Sequence, residues 1–196
     1  MAKLTFVYGV MGAGKTAQLL MFKYQLEDGG QRVLLLKPTI DTRTSDAIIR
    51  SRIPGLVSKA ILFDPNDSLY KIICTEKPDV ILVDEAQFLS PANVLELREI
   101  ASYKEVPVFC YGLRSDFRCQ LFEGSKALLE LADDLKEFEG ICACGSKAVV
   151  NARLVNGVIT TDGEAIAIDK GTVSYKAMCW HCWQNEIANG GNEIVV

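Results

Sequence analysis

The sequence predicts an α/β fold: a parallel sheet flanked by helices, followed by a small β subdomain. Three observations carry that prediction. A glycine-rich stretch, G-V-M-G-A-G-K-T from Gly9 to Thr16, follows the apolar run Leu4 to Tyr8 and leads into Ala17 to Phe22, an order of strand, loop and helix. Short all-apolar runs then alternate with helix-period segments to about Phe138, as parallel strands joined by crossover helices do. After Gly140 the pattern changes to short alternating runs set between glycine turns and two cysteine pairs.

The glycine stretch has the form of a phosphate-binding loop. Glycine lacks a Cβ, so the backbone at Gly9, Gly12 and Gly14 can turn sharply and approach a polyphosphate closely. Main-chain N–H groups at the start of the following helix favour an anion. The whole loop, Gly9, Val10, Met11, Gly12, Ala13, Gly14, Lys15 and Thr16, is expected to hold a nucleoside triphosphate. Lys15 would reach the β- and γ-phosphates, and the Thr16 hydroxyl would ligate Mg²⁺.

The remaining elements follow in order. Gly29-Gly30 stops the first helix. V-L-L-L within Gln31 to Lys37 is a buried strand ended by Pro38, and Thr39 to Ser51 is expected as loop or short helix over the sheet's C-terminal edge. Asn66 to Cys74 reads as a helix broken at Lys77-Pro78. Val80 to Val83 is the next buried strand, and Ser90-Pro91 starts a helix that runs to about Tyr103. Val108 to Tyr111 is a strand, Gly112 to Glu123 a loop, and Gly124 to Leu135 a helix with Ala127, Leu128, Leu131 and Leu135 inward. Beyond Gly140, Ala148 to Val155 and Glu164 to Ile168 alternate as strands, and Asn189 to Asn192 reads as a mobile tail. The expected division is 1–139 for the nucleotide-binding part, 140–186 for the metal-binding subdomain and 187–196 for the tail.

Composition narrows the function classes. The chain has 196 residues, of which 49% are hydrophobic, enough for one α/β core and an appendage. A formal net charge of -4 speaks against a non-specific nucleic-acid binder. No apolar run approaches the ~20 residues of a membrane span, and the N-terminal run has no secretory pattern, so a cytoplasmic protein with no membrane partner is expected. Of the cysteines, Cys74 and Cys110 read as small core residues, and Cys119 lies in a loop without an assigned role.

Four apolar residues ending in Asp84 form a Walker B pattern, with the carboxylate expected to hold Mg²⁺ beside the loop. Glu85 follows at the strand's C-terminal end, where it can take a proton from an attacking hydroxyl or water. Cys142-Ala143-Cys144 and Cys179-Trp180-His181-Cys182 present two thiol pairs across a β segment. That donor set suits a tetrahedral structural Zn²⁺ site. His181, the chain's only histidine, stays open beside Cys182 as the fourth ligand.

Together these residues resemble the thymidine kinases of the tetrameric, zinc-containing class, over nearly the whole chain. D-T-R at Asp41 to Arg43 resembles that family's D-x-R segment, and D-E-A-Q-F at Asp84 to Phe88 its D-E-x-Q-F, whose Glu is the catalytic base. Y-G-L-R-S-D-F-R at Tyr111 to Arg118, followed by Phe122, resembles the thymine-pocket segment. Tyr175 is similar to the tyrosine of the substrate-covering loop, which would run from about Val155 to Tyr175.

The resemblance implies an ATP-dependent thymidine kinase acting on thymidine and deoxyuridine, with Glu85 and Lys15 catalytic. It implies that Asp84, Glu85, Ala86 and Gln87 join the loop in holding the nucleotide. Met11, Asp41, Arg43, Phe88, Leu113, Phe117, Phe122 and Tyr175 would hold the nucleoside, although core packing is the stronger reading for Phe122 and an equal one for Phe117. It further implies ATP, Mg²⁺ and structural Zn²⁺, a homotetramer and feedback inhibition by dTTP. Two other classes stay open on the residues alone. One is a nucleic-acid motor, since D-E-A-Q also resembles a helicase box; the other is a nucleotide-binding switch without transfer chemistry.

Overall fold

A computed structural model describes residues 1–39, 47–163 and 173–190, with side chains to 188. Asp41, Arg43 and the run Glu164 to Ile168 lie outside the described residues.

Chain order is β1 (Leu4–Tyr8), α1 (Lys15–Asp28), β2 (Val33–Pro38), β3 (Ile48–Arg50), β4 (Val57–Lys59) and β5 (Ile61–Phe63). Then come α2 (Leu69–Glu76), β6 (Val80–Val83), a 3₁₀ turn (Ala86–Phe88), α3 (Pro91–Tyr103), β7 (Val108–Gly112), α4 (Glu123–Leu131) and β8 (Asp134–Glu137). The C-terminal part holds β9 (Gly140–Ile141), β10 (Lys147–Ala148), β11 (Val150–Val155), β12 (Val158–Thr160), β13 (Val173–Met178) and α5 (Trp180–Gly190).

Six strands form one parallel sheet in the order β5-β2-β6-β7-β1-β8. β6 lies between β2 and β7 and is buried along its whole length, which is why its sequence is a run of Val, Ile and Leu without polar alternation. The two-residue period of a strand sends Ile81 and Val83 to one face and Val80 and Leu82 to the other. The first pair packs with Leu36, Leu97, Ile100 and Leu128; the second packs with Leu19, Leu20, Leu35 and Tyr111. Each fully buried Leu, Ile or Val contributes roughly 1.5–3 kcal/mol. Because all six strands point the same way, the segments after β1, β2, β6 and β7 gather at one edge.

α3 begins as its sequence indicates. The Ser90 hydroxyl accepts from the Asn93 N–H at 3.2 Å, and Asn93 Oδ1 accepts from the Ser90 N–H at 3.3 Å. A second core joins Val150, Ala152, Ile159, Met178, Trp183 and Ile187 to Val10 of the glycine loop.

Four expectations need correction. α4 ends at Leu131, and Leu135 lies in the edge strand β8, 50% exposed. Leucine spacing alone carried the helix too far. Asp133 decides the matter: its N–H donates to the Leu4 carbonyl at 2.8 Å, and its carboxylate accepts from the Leu4 N–H at 2.9 Å and from Arg98 at 2.8 Å. These bonds seize the chain as a strand beside β1. Cys74 is exposed rather than in the core, because it sits one position past the buried Ile73, a turn of about 100° away. The stretch ending at Ser51 holds strand β3, which pairs with β4. Finally, Val158–Thr160 pairs with β11, so the stretch expected as a covering loop has strand structure at its start.

Replacing Asp133 with Ala should remove these ties and lower folding stability by about 1–3 kcal/mol. Urea denaturation, with the m-value unchanged, checks this.

Candidate active site

The glycine loop turns through Gly12 at φ +76° and Gly14 at φ +101°, left-handed conformations that a side chain resists. Gly14 thereby caps α1 and aims its first N–H groups into the loop. Lys15 Nζ donates to the carbonyls of Gly9 at 3.0 Å and Val10 at 2.9 Å, so the ammonium is held over the loop. Burial pulls its pKa down to about 8, against the opposing pull of Glu85 and Asp84 and with the charge of Arg52 adding to the depression.

The tip of β6 lies across from the loop. Asp84 is 5% exposed, and the Thr16 hydroxyl donates to its two carboxylate oxygens at 3.4 Å each. Burial, reinforced by the neighbouring charge of Glu85, pushes the Asp84 carboxyl up to about 7. Tyr111, buried on the adjoining strand and facing Asp84, is raised to about 12, mainly by burial. A buried carboxylate beside a hydroxyl has the oxygen chemistry that a divalent cation takes.

Glu85 sits at φ +53°, a left-handed backbone in a non-glycine residue. Such strain is held only where the surroundings over-determine it. Here Gln87 does so. Its Nε2 donates to Glu85 Oε2 at 2.5 Å while its Oε1 accepts from the Leu113 N–H at 3.0 Å. Gln87 can lie there because position 112 is glycine: a Cβ at Gly112 would stand 2.8 Å from Gln87 Oε1.

A cavity of about 360 Å³ brings Lys15, Thr16, Asp84, Glu85, Leu113 and Arg52 together. A second, of about 440 Å³, shares Met11, Gly12 and Arg52 with it and is lined further by Tyr175 and Ile141. Met11 and Leu113 thus line the first cavity, with Tyr175 in the adjoining one. Phe88 and Phe122 pair edge to face at 5.8 Å. Phe117 is 2% exposed, with the guanidinium of Arg153 5.1 Å and that of Arg118 5.6 Å from its ring centre. Neither Phe117 nor Phe122 lines these two cavities.

Two residues escaped the sequence reading. Asn151, 3% exposed on β11, accepts from the Met11 N–H at 2.7 Å and donates to the Ser115 carbonyl at 3.0 Å. It ties the glycine loop to the segment after β7. Arg52 arrives from the β3–β4 turn. An asparagine in a strand and an arginine in a turn carry no motif signal.

The four cysteine Sγ atoms of Cys142, Cys144, Cys179 and Cys182 lie within 4.8 Å of one another, with Cys144 and Cys179 3.7 Å apart. Tetrahedral zinc with Zn–S bonds of about 2.3 Å needs S···S edges of about 3.8 Å. The C-x-C pair achieves this because the Gly145 N–H returns to the Cys142 carbonyl at 2.8 Å, with Gly145 at φ +86°. The Ser146 hydroxyl lowers the Cys144 thiol to about 6, and Cys179 raises that of Cys182 to about 12. His181 is exposed and meets Asn185 at 3.0 Å through Nε2. The cluster therefore contains Cys182 and not the histidine, and it is compatible with a structural zinc.

The model of the family described as thymidine kinase matches residues 2–183. The chain belongs to the thymidine kinase family. The thymidine kinase of Legionella pneumophila is 44% identical over 185 residues, 91% of this chain and 88% of that protein. The thymidine kinase of enterobacteria phage T4 is 43% identical over 192 residues, 95% and 97% of the two chains. That of Zymomonas mobilis is 45% identical over 158 residues, 79% and 81%. Family membership makes this an ATP-dependent phosphotransferase. Among the described residues, no helix is long and apolar enough to cross a membrane.

The Asp84 carboxyl rises from 3.8 to about 7 on folding. It therefore adds stability that is full below about pH 4 and lost as pH rises through 7. Without nucleotide, Asp84→Asn should melt above the wild type at pH 8, and the gap should close toward pH 4; thermal scans across that range check it.

Proposed function

We propose that this chain transfers the γ-phosphoryl group of ATP to the 5′-hydroxyl of thymidine, yielding dTMP, and accepts deoxyuridine as a second substrate. The observation that carries this reading is the placement of Glu85. A backbone turn in the left-handed region, pinned by Gln87, puts its carboxylate in the same cavity as Lys15, Thr16 and Asp84. Catalysis in such a site is mostly orientation and charge neutralisation, because the transition state is loose. Glu85 orients the 5′-hydroxyl and takes its proton as the oxygen attacks. Lys15, once drawn from the carbonyls of Gly9 and Val10, neutralises the phosphates, and the loop N–H groups from Gly9 to Thr16 hold them. Thr16 and Asp84 would hold Mg²⁺, which would supply charge neutralisation for the phosphates.

The nucleoside belongs between the two cavities in this reading. Met11, Leu113 and Tyr175 line that space. Phe88 and Phe122 pair edge to face, and Phe117 is buried within the fold; all three belong to the nucleoside-binding set in this reading. Asp41 and Arg43, which lie outside the described residues, belong to the nucleoside-binding set in this reading. Residues 1–139 serve as the nucleotide-binding part and 140–186 as the zinc-bearing one. A structural Zn²⁺ on Cys142, Cys144, Cys179 and Cys182 secures both ends of the covering segment. Homotetramer assembly, dTTP as a feedback inhibitor and a cytoplasmic site belong to the same reading, on the strength of the family resemblance. A nucleotide switch would not need a strained carboxylate beside the terminal phosphate, so the geometry favours transfer.

Glu85→Gln should lower kcat about 10²–10⁴-fold while calorimetry shows ATP affinity unchanged. Identifying the monophosphate formed from Mg-ATP and a nucleoside panel tests the substrate reading directly; absence of dTMP from the wild type overturns it. A strong chelator should release about one zinc per chain and lower the melting temperature, and Cys179→Ser should do the same. Metal analysis of the purified protein reads both.

A further inference from the structure

The β3–β4 hairpin stands outside the central sheet, yet it reaches the glycine loop. Its buried Ile49, with Leu56 behind it, packs into the core that holds Leu19, Leu35 and Tyr111. The turn between the strands has a defined shape: the Ser51 N–H donates to the Leu56 carbonyl at 3.0 Å, and the Ile53 N–H donates to the Ser51 hydroxyl at 3.1 Å. This anchored turn carries Arg52. One guanidinium nitrogen of Arg52 stands 3.5 Å from where a Cβ on Gly12 would lie, so the side chain rests against the mouth of the phosphate loop. Arg52 lines both cavities, the one holding Lys15 and Glu85 and the one holding Tyr175. Among the described residues, no carboxylate forms an ion pair with it.

Two cations that face one cavity repel each other, and a polyphosphate between them turns that cost into attraction. A guanidinium also forks onto two phosphate oxygens at once, which an ammonium cannot do. We propose that Arg52 is a further catalytic residue, gripping the terminal phosphate of ATP together with Lys15 and stabilising the charge on the phosphoryl group as it moves. The proposal rests on the phosphoryl-transfer reading above. In the step itself, the bond from the 5′-oxygen to the γ-phosphorus forms as the bond from that phosphorus to the β–γ bridging oxygen breaks. The hydroxyl proton passes to Glu85, ADP leaves with the bridging oxygen, and Arg52 exchanges no proton.

Kinetics and binding of wild type, Arg52→Gln and Arg52→Lys test this. R52Q should lose about 10²–10³-fold in kcat, while calorimetry shows ADP affinity within a few fold of wild type. R52K should lose about tenfold, since it keeps the charge and loses the fork. A ternary complex of ADP, aluminium fluoride and thymidine, a mimic of the phosphoryl group in flight, should form with wild type and fail with R52Q. Wild-type kcat in R52Q, a defect confined to ATP affinity, or retention of the aluminium fluoride complex overturns the proposal. If R52Q proves unstable in a thermal scan, R52K decides alone, and wild-type kcat there overturns it. A wild-type protein that phosphorylates no nucleoside fails the underlying reading instead, so the two failures are distinguishable.

Discussion

Two neighbouring carboxylates end the central strand β6, and most of the site follows from the need to accommodate them. Asp84 is buried and Glu85 lies next to it in an unfavourable backbone conformation. Burial, with a like charge this close, disfavours ionisation of Asp84. The surrounding groups answer that cost. Lys15 brings a positive charge, the Thr16 hydroxyl donates to Asp84, and the Gln87 amide donates to Glu85. This edge of the sheet is thus a place where charge has been concentrated at some expense in stability, as functional sites commonly are.

The scaffold makes this arrangement rigid by linking segments far apart in sequence through single polar side chains. Gln87 binds the β6 tip to the segment after β7 through the Leu113 N–H. Asn151 binds the glycine loop to that same segment from the C-terminal part. Both side chains are almost wholly buried, so each bond is made where water cannot compete and where its loss leaves an unpaired group. Val10 joins the same parts through apolar contact, packing with Val150 and Trp183. The surface around Met11 is therefore built from separate regions of the chain.

The cysteine cluster has a different role in the physics. The C-terminal strands are short, and their core is small beside that of the six-stranded sheet. A segment of that size gains much from a metal cross-link. The knuckle at Cys142 to Gly145 and the start of α5 bring the four thiols to within tetrahedral reach. A metal held there would fasten the β9–β10 knuckle to the end of β13, the strand that carries Tyr175.

Much of this could be read from the chain alone, because it depends on neighbours in sequence. The glycine loop, the all-apolar strand Val80–Val83 with its acidic end, the Ser90-Pro91 helix start and the paired cysteines are local patterns with local causes. Other features were settled by contacts between distant residues. Leu135 continued a helical spacing, but Asp133 was captured by Leu4 and Arg98 and drew the chain into an edge strand. Cys182 rather than His181 faces the other thiols because α5 turns the histidine outward toward Asn185. Arg52 and Asn151 carry no signature of their type, and only the folded chain brings them to the glycine loop. Local pattern determined the shape of the glycine loop, because backbone curvature and helix ends are built from consecutive residues. Tertiary structure decided which side chains surround that loop, because burial and long-range hydrogen bonds depend on where strands meet.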